Sequence, residues 1–164
     1  MSDGDDPGGA TPRLARLVAD ADVLAADLLV GGPAREALDH WRRHSWVSLV
    51  VTDRLLEEAA AVIAGLADRS LAADWRTLVA ERATLVEPEA SGHPALVAAA
   101  SGDAAHLLAY DERLRSAAAG TAIRPSVEVS VKPPDGFARL FDPASLYEAA
   151  VGGAYPGPDR DPRR

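Results

Sequence analysis

Leu17-Val18-Ala19-Asp20-Ala21-Asp22-Val23-Leu24 is a short apolar run that breaks at two acids and restarts in helical spacing. Such a run reads as a buried strand delivering carboxylates to its carboxyl end. Open α/β sheets hold their ligands at that end. Thr52 to Ile63 and Leu107 to Leu114 look like later passes of the same design, each closing an apolar strand beside acidic residues. Function then depends on whether these three places meet in space.

Working outward, Asp22 to Val30 reads as a short helix stopped by Gly31-Gly32, and Pro33 suits the first turn of a second helix, Ala34 to His44. Ala34, Ala37, Leu38 and Trp41 share one face of it. Trp46 to Val51 is a continuous apolar run of strand length, and Thr52 or Asp53 can cap the helix Arg54 to Leu66. Ser70 is the expected cap of a helix ending at Arg82, with Leu71, Trp75, Leu78 and Val79 as its buried stripe. Ala83 to Val86 is a weak strand, and Pro94 opens an Ala-rich helix closed by Gly102-Asp103. His106 to Ala109 is a strand, Asp111 to Ala119 a helix, Val127 to Val131 a strand that Pro133-Pro134 keeps from a central position, and Asp142 a cap for Pro143 to Ala150. Helices alternating with short buried strands predict an α/β fold: a mostly parallel central sheet of about five strands with helices on both faces.

Composition bounds the rest. At 164 residues, 48% hydrophobic, the chain suits one domain with a core of Ala, Val and Leu, since aromatic content is only 5%. That domain is expected over residues 13–151, between an acidic Gly/Pro lead-in at 1–12 and a tail at 152–164, both with the composition of disorder. No apolar run approaches the roughly 18 residues of a membrane span, and Met1 to Pro12 resembles neither a signal nor a transit peptide. A cytoplasmic location with no membrane contact is expected. There are no cysteines, which excludes disulfides and thiolate zinc sites. The net charge is −8, and Lys132 is the only lysine among 17 basic residues. An acidic, lysine-poor surface suits a salt-rich cytoplasm, and a GC-rich genome would produce it equally well. Either origin counts against a general nucleic-acid coat, which needs clustered cations.

The element order and three motifs together resemble the PIN domain, a small α/β nuclease fold of toxin–antitoxin ribonucleases and ribosomal RNA processing factors. Val18-Ala19-Asp20-Ala21-Asp22-Val23-Leu24 fits that family's opening strand. Val51-Thr52-Asp53-Arg54-Leu55-Leu56-Glu57-Glu58 fits its strand, hydroxyl and glutamate-bearing helix, with Glu58 in the family slot and Glu57 as the other register. Ala104-Ala105-His106-Leu107-Leu108-Ala109-Tyr110-Asp111-Glu112-Arg113-Leu114 fits its last feature. One departure stands out: where the family has an aspartate before the Ala-rich helix, this chain has Gly92-His93-Pro94, with Glu87 and Glu89 upstream.

The resemblance implies a ribonuclease in which Asp20, Glu58 and Asp111 are catalytic and, with Asp22, bind Mg²⁺ or Mn²⁺, with Thr52 and His93 as auxiliaries. Hard cations of this kind take oxygen ligands, lower the pKa of bound water and neutralise a leaving oxyanion. Crowded acids repel, so without metal at least one should hold a raised pKa. Each residue also has a plainer role. Asp20, Asp22 and Asp111 can cap helices, Thr52 can cap its own, Glu58 can be a solvated helix residue, and His93 a loop or cap histidine. His40 and His44, beside Arg42 and Arg43, read as a solvated polar face. Arg35, Arg42, Arg43, Arg113 and Arg115 could hold RNA phosphates or pair with surface acids. Trp41, Trp46 and Trp75 read as core. The alternatives to a nuclease are a degenerate PIN-like module that binds RNA or a protein partner without cutting, and a receiver-type phosphoacceptor, for which Lys132 is poorly placed. A homodimer through apolar faces around Trp41 or Phe137 to Phe141 is a further expectation by analogy.

Overall fold

The first strand occupies the middle of the sheet. In the computed structural model, which describes residues 13–89, 91–114 and 129–162, β1 (Arg16–Ala19), β2 (Ser48–Val51), β3 (Thr84–Leu85), β4 (His106–Leu108) and β5 (Ser130–Lys132) form one parallel sheet in the order β3-β2-β1-β4-β5. Leu17, Val18, Leu49, Val50, Leu107 and Leu108 are all buried. The three central strands read as continuous apolar runs because helices cover them and leave no wet face for alternation to serve, whereas both residues of β3 and Ser130 of β5 are exposed. The two outer strands are short, and β5 runs into Pro133, which suits an edge.

Among the described residues, helices of seven to fourteen residues connect and cover the strands: α1 (Ala21–Leu29), α2 (Gly32–Arg43), α3 (Asp53–Leu66), α4 (Arg69–Arg82), α5 (Pro94–Ser101), α6 (Pro134–Leu140) and α7 (Pro143–Ala150). Ala34, Ala37, Leu38 and Trp41 form the buried face of α2, as the spacing predicts. Thr52 caps α3 through Leu55 N–H at 3.2 Å, and Asp142 caps α7. At the end of α5, Gly102 lies so close to β2 that a Cβ there would overlap Val50 Cγ1. Residues 112–114 are helical. The rest of the helix expected to Ala119, and the start of the strand expected from Val127, lie outside the described residues.

Several expectations need correction. Asp68, not Ser70, caps α4, because its carboxylate reaches Leu71 N–H at 3.2 Å. The buried stripe of α4 is Ala72, Trp75 and Val79, while Leu71 and Leu78 are exposed. This helix packs on α3 and buries a narrow stripe at i, i+3 and i+7 rather than a broad face. Helix α6 begins inside the Pro-Pro pair, since proline suits a first turn. Its Phe137 is buried, as is Trp41 on α2, against which α6 packs, while Leu140 of the same stretch is exposed.

His44 is buried rather than solvated. Its Nδ1 lies 2.6 Å from the His40 carbonyl, which can only accept, so that nitrogen carries a proton; its Nε2 lies 2.6 Å from Tyr155 Oη. The tail from Gly152 meets the fold at further residues besides Tyr155. Asp159 and Arg160 N–H both donate to the Arg43 carbonyl, and Ser45 N–H and Oγ–H donate to the Asp159 carboxylate. Among the described residues, no helix is long and apolar enough to cross a membrane.

Candidate active site

The chain adds strands outward from β1 to β3 on one side and then from β4 to β5 on the other, and the crevice at the carboxyl ends of β1 and β4, where that order switches, is where such sheets take ligands. Asp20 stands there. Its N–H donates to the Leu108 carbonyl at 2.9 Å, which stitches the end of β1 to the end of β4, and its carboxylate accepts from Ala21 N–H at 2.8 Å as the cap of α1. The side chain is buried, with 9% of its surface accessible.

Burial pushes the Asp20 carboxyl above the usual carboxylate range. The Ala21 N–H and the His93 charge oppose this, and the nearby charges of Asp22 and Glu58 add to it. The raised acid expected of a crowded carboxylate cluster is therefore Asp20, with burial outweighing repulsion. The charges that act on it come from three elements. Asp22 lies in the first turn of α1, Glu58 on α3 after β2, and His93 at the head of α5.

Glu58, not Glu57, is the glutamate whose charge acts on Asp20. Glu57 turns toward α4, where Arg76 is 3.7 Å away, while Glu58 is also held loosely by Arg54, one turn back at 3.7 Å. Thr52 is buried and serves as a cap.

His93, in place of the aspartate usual in the resembling family, is the cap of α5. Its Nδ1 accepts from Ala95 N–H at 3.2 Å. Accepting there requires a lone pair on Nδ1, so the neutral ring carries its proton on Nε2. A metal taken by Nε2 would need the other tautomer and would break the cap; a phosphate oxygen accepting from Nε2–H would not.

Asp111 is turned to its own segment. Its Oδ1 accepts from Arg113 N–H at 2.9 Å, and the Arg113 guanidinium is 3.8 Å away. Among the described residues, no three His, Asp or Glu side chains gather into a cage able to hold a metal ion. The expected trio of Asp20, Glu58 and Asp111 is thus not assembled as one. Glu89 is tied elsewhere, through its N–H to Ser101 Oγ at 2.9 Å, at the opposite end of α5 from His93. Arg35 is spent on the carbonyls of Asp27 and Leu28, and Arg42 makes a bidentate pair with buried Asp27. Arg115 lies outside the described residues.

Two residues at this edge were not anticipated. Tyr110 follows β4, and burial together with the charges of Asp135 and Asp22 raises its phenol above the ordinary value. Asp135, in the first turn of α6, thereby brings a further acid to the same crevice. The position of Tyr110, just past an apolar strand, was visible in the sequence; that of Asp135 depends on α6 starting at Pro134.

The carboxyl edge thus gathers a buried acid, two further acids acting on it, and an imidazole N–H. That set suits a cation and an anion side by side, as a phosphodiester with its counter-ion would present them. No curated protein matches the chain. A family model covering residues 11–163 does, and by it the chain belongs to DUF7384, a family of unknown function.

Proposed function

We propose that this chain is a PIN-like, metal-dependent ribonuclease acting in the cytoplasm. The supporting observation is Asp20: a buried carboxylate at the switch point of a parallel sheet, held against desolvation and the charges of Asp22 and Glu58. A cation would relieve all three penalties at once, and groups so perturbed cluster at functional sites.

The residues fit Mg²⁺ or Mn²⁺ without a full protein cage. Mg²⁺ keeps several waters and commonly takes one or two carboxylates together with substrate phosphate. Asp20 with Glu58 or Asp22 would hold it, and the bound ion would acidify a water and neutralise charge on the phosphate. Asp20 orients through its Ala21 cap, Glu58 approaches from α3, and His93 Nε2–H donates to a phosphate oxygen. Asp111 joins only by giving up its bond to Arg113.

The test is cleavage of single-stranded and structured RNA in Mn²⁺ or Mg²⁺. Asp20→Asn should abolish it, and cleavage unchanged in that variant would sink the assignment. Asp111→Asn keeps the cap, so retained cleavage leaves Asp111 a cap and lost cleavage puts it in the site.

A second reading is a PIN-like module that binds RNA or a protein without cutting. The histidine at 93 and the lack of a three-ligand group among the described residues favour it. A thermal midpoint indifferent to Mg²⁺ and Mn²⁺ would select this reading over the first.

A further inference from the structure

We infer that a second nucleic-acid contact lies at the amino edge of the sheet, in a groove where Arg43, Arg82 and Arg160 take the phosphates of a single RNA strand. The inference extends the ribonuclease reading by adding a path for the substrate backbone away from the carboxylates.

Topology places the groove. Arg43 ends α2 ahead of β2, and Arg82 ends α4 two residues ahead of Thr84 in β3. Both precede parallel strands, so they lie toward the edge opposite Asp20 and Thr52, which follow strands. The docked tail carries Arg160 to the same place, because Arg160 N–H bonds the Arg43 carbonyl at 3.1 Å.

Two hollows of about 410 and 650 Å³ adjoin there, sharing Arg42 and Asp161. Five arginines line them, Arg35, Arg42, Arg43, Arg82 and Arg160, against the acids Asp39, Glu81 and Asp161. With Asp27 and Asp39 set against Arg35 and Arg42, the arginines Arg43, Arg82 and Arg160 remain beside Glu81 and Asp161, with Asp159 acting on Arg160, so the groove is free of the net negative charge that the chain as a whole carries.

Not all five are equal. Arg35 and Arg42 are consumed by Asp27 and the end of α1, and Arg42 also neutralises Asp39 at 3.0 Å. Arg43, Arg82 and Arg160 are exposed, and none makes a salt bridge among the described residues. They come from three separate segments spread along the groove, so a ligand meeting all three must carry repeated charges. A phosphodiester backbone does so at every residue, and arginine's planar fork matches phosphate bidentately.

The experiment is fluorescence anisotropy with a fluorescein-labelled single-stranded RNA oligonucleotide in EDTA, on the full chain carrying Asp20→Asn so that nothing is cut. Each phosphate contact on a single strand contributes about 0.7 to the slope of log K against log salt. Replacing Arg43, Arg82 and Arg160 together by Gln should therefore flatten the slope by about 2, with at least a tenfold loss of affinity in low salt. Glu81→Gln, which removes a repelling charge, should tighten binding. An unchanged slope, or no RNA binding before the substitutions, overturns the inference. So does polyglutamate displacing the RNA at equal charge concentration, which would assign the groove to an acidic peptide. The outcomes separate from those of the active site: a flattened slope without metal-dependent cleavage removes the ribonuclease and keeps the groove, and cleavage with an unchanged slope does the reverse.

Discussion

Asp20→Asn should make the metal-free protein more stable while destroying its function. Asparagine keeps the oxygen that accepts from Ala21 N–H at 2.8 Å, so the cap of α1 survives. What disappears is a buried negative charge and its repulsion by Asp22 and Glu58. Because the folded carboxyl sits above its unfolded value of 3.8, its contribution favours the fold below that value and is lost as pH rises through the raised one. The variant and the wild type should therefore be equally stable near pH 3.5 and diverge toward neutrality. Relieving functional strain of this kind commonly amounts to about 0.5–2 kcal/mol, and each kcal/mol should raise the melting midpoint by about 2–4 °C for a chain of this size. Asp20→Ala removes the cap as well and should fall about 1 kcal/mol below Asp20→Asn at every pH. Mg²⁺ at ten times its Kd should stabilise the wild type by about 1.4 kcal/mol and leave the Asn variant unmoved. Urea unfolding followed by tryptophan fluorescence at the two pH values reads all of this. An Asn variant less stable than wild type at neutral pH without metal, or a difference independent of pH, would refute the reasoning.

Gly102→Ala should cost about 1–3 kcal/mol, since the new methyl would overlap Val50 Cγ1 in β2; a melting midpoint unchanged from wild type would show that α5 is free to shift. Arg42→Ala leaves the Asp27 carboxylate, 5% exposed, without its bidentate partner. About 3 kcal/mol should be lost, most of it recovered by adding Asp27→Leu, and a double variant no better than the single one would mean that the loss comes from packing of the arginine stem.

The order of elements was legible because each carries its signal locally. The apolar runs around Val18, Val50 and Leu107 are continuous, as strands covered on both faces must be, and Gly31, Pro94 and Pro143 punctuate the helices between them. The cap of α4 escaped because Asp68 and Ser70 are both good caps, and only the backbone path selects one. Leu71 and Leu78 looked buried for a related reason: hydrophobicity marks what can be covered, while the number of neighbours decides what is.

By itself the sequence determined that a strand ends at Asp20, that a hydroxyl opens the next helix at Thr52, and that histidine stands at 93. The tertiary structure alone decided the rest: that the charge of Glu58 and not Glu57 acts on Asp20, that Asp111 bonds its own turn, that the charges of Asp135 and Asp22 act on Tyr110, and that Tyr155 closes on His44 across more than a hundred residues. The division has a physical cause. Strand ends and caps are made by neighbours in the chain, whereas the side a helical residue faces depends on the rotation at which its helix docks, and that rotation is set by all the residues it buries.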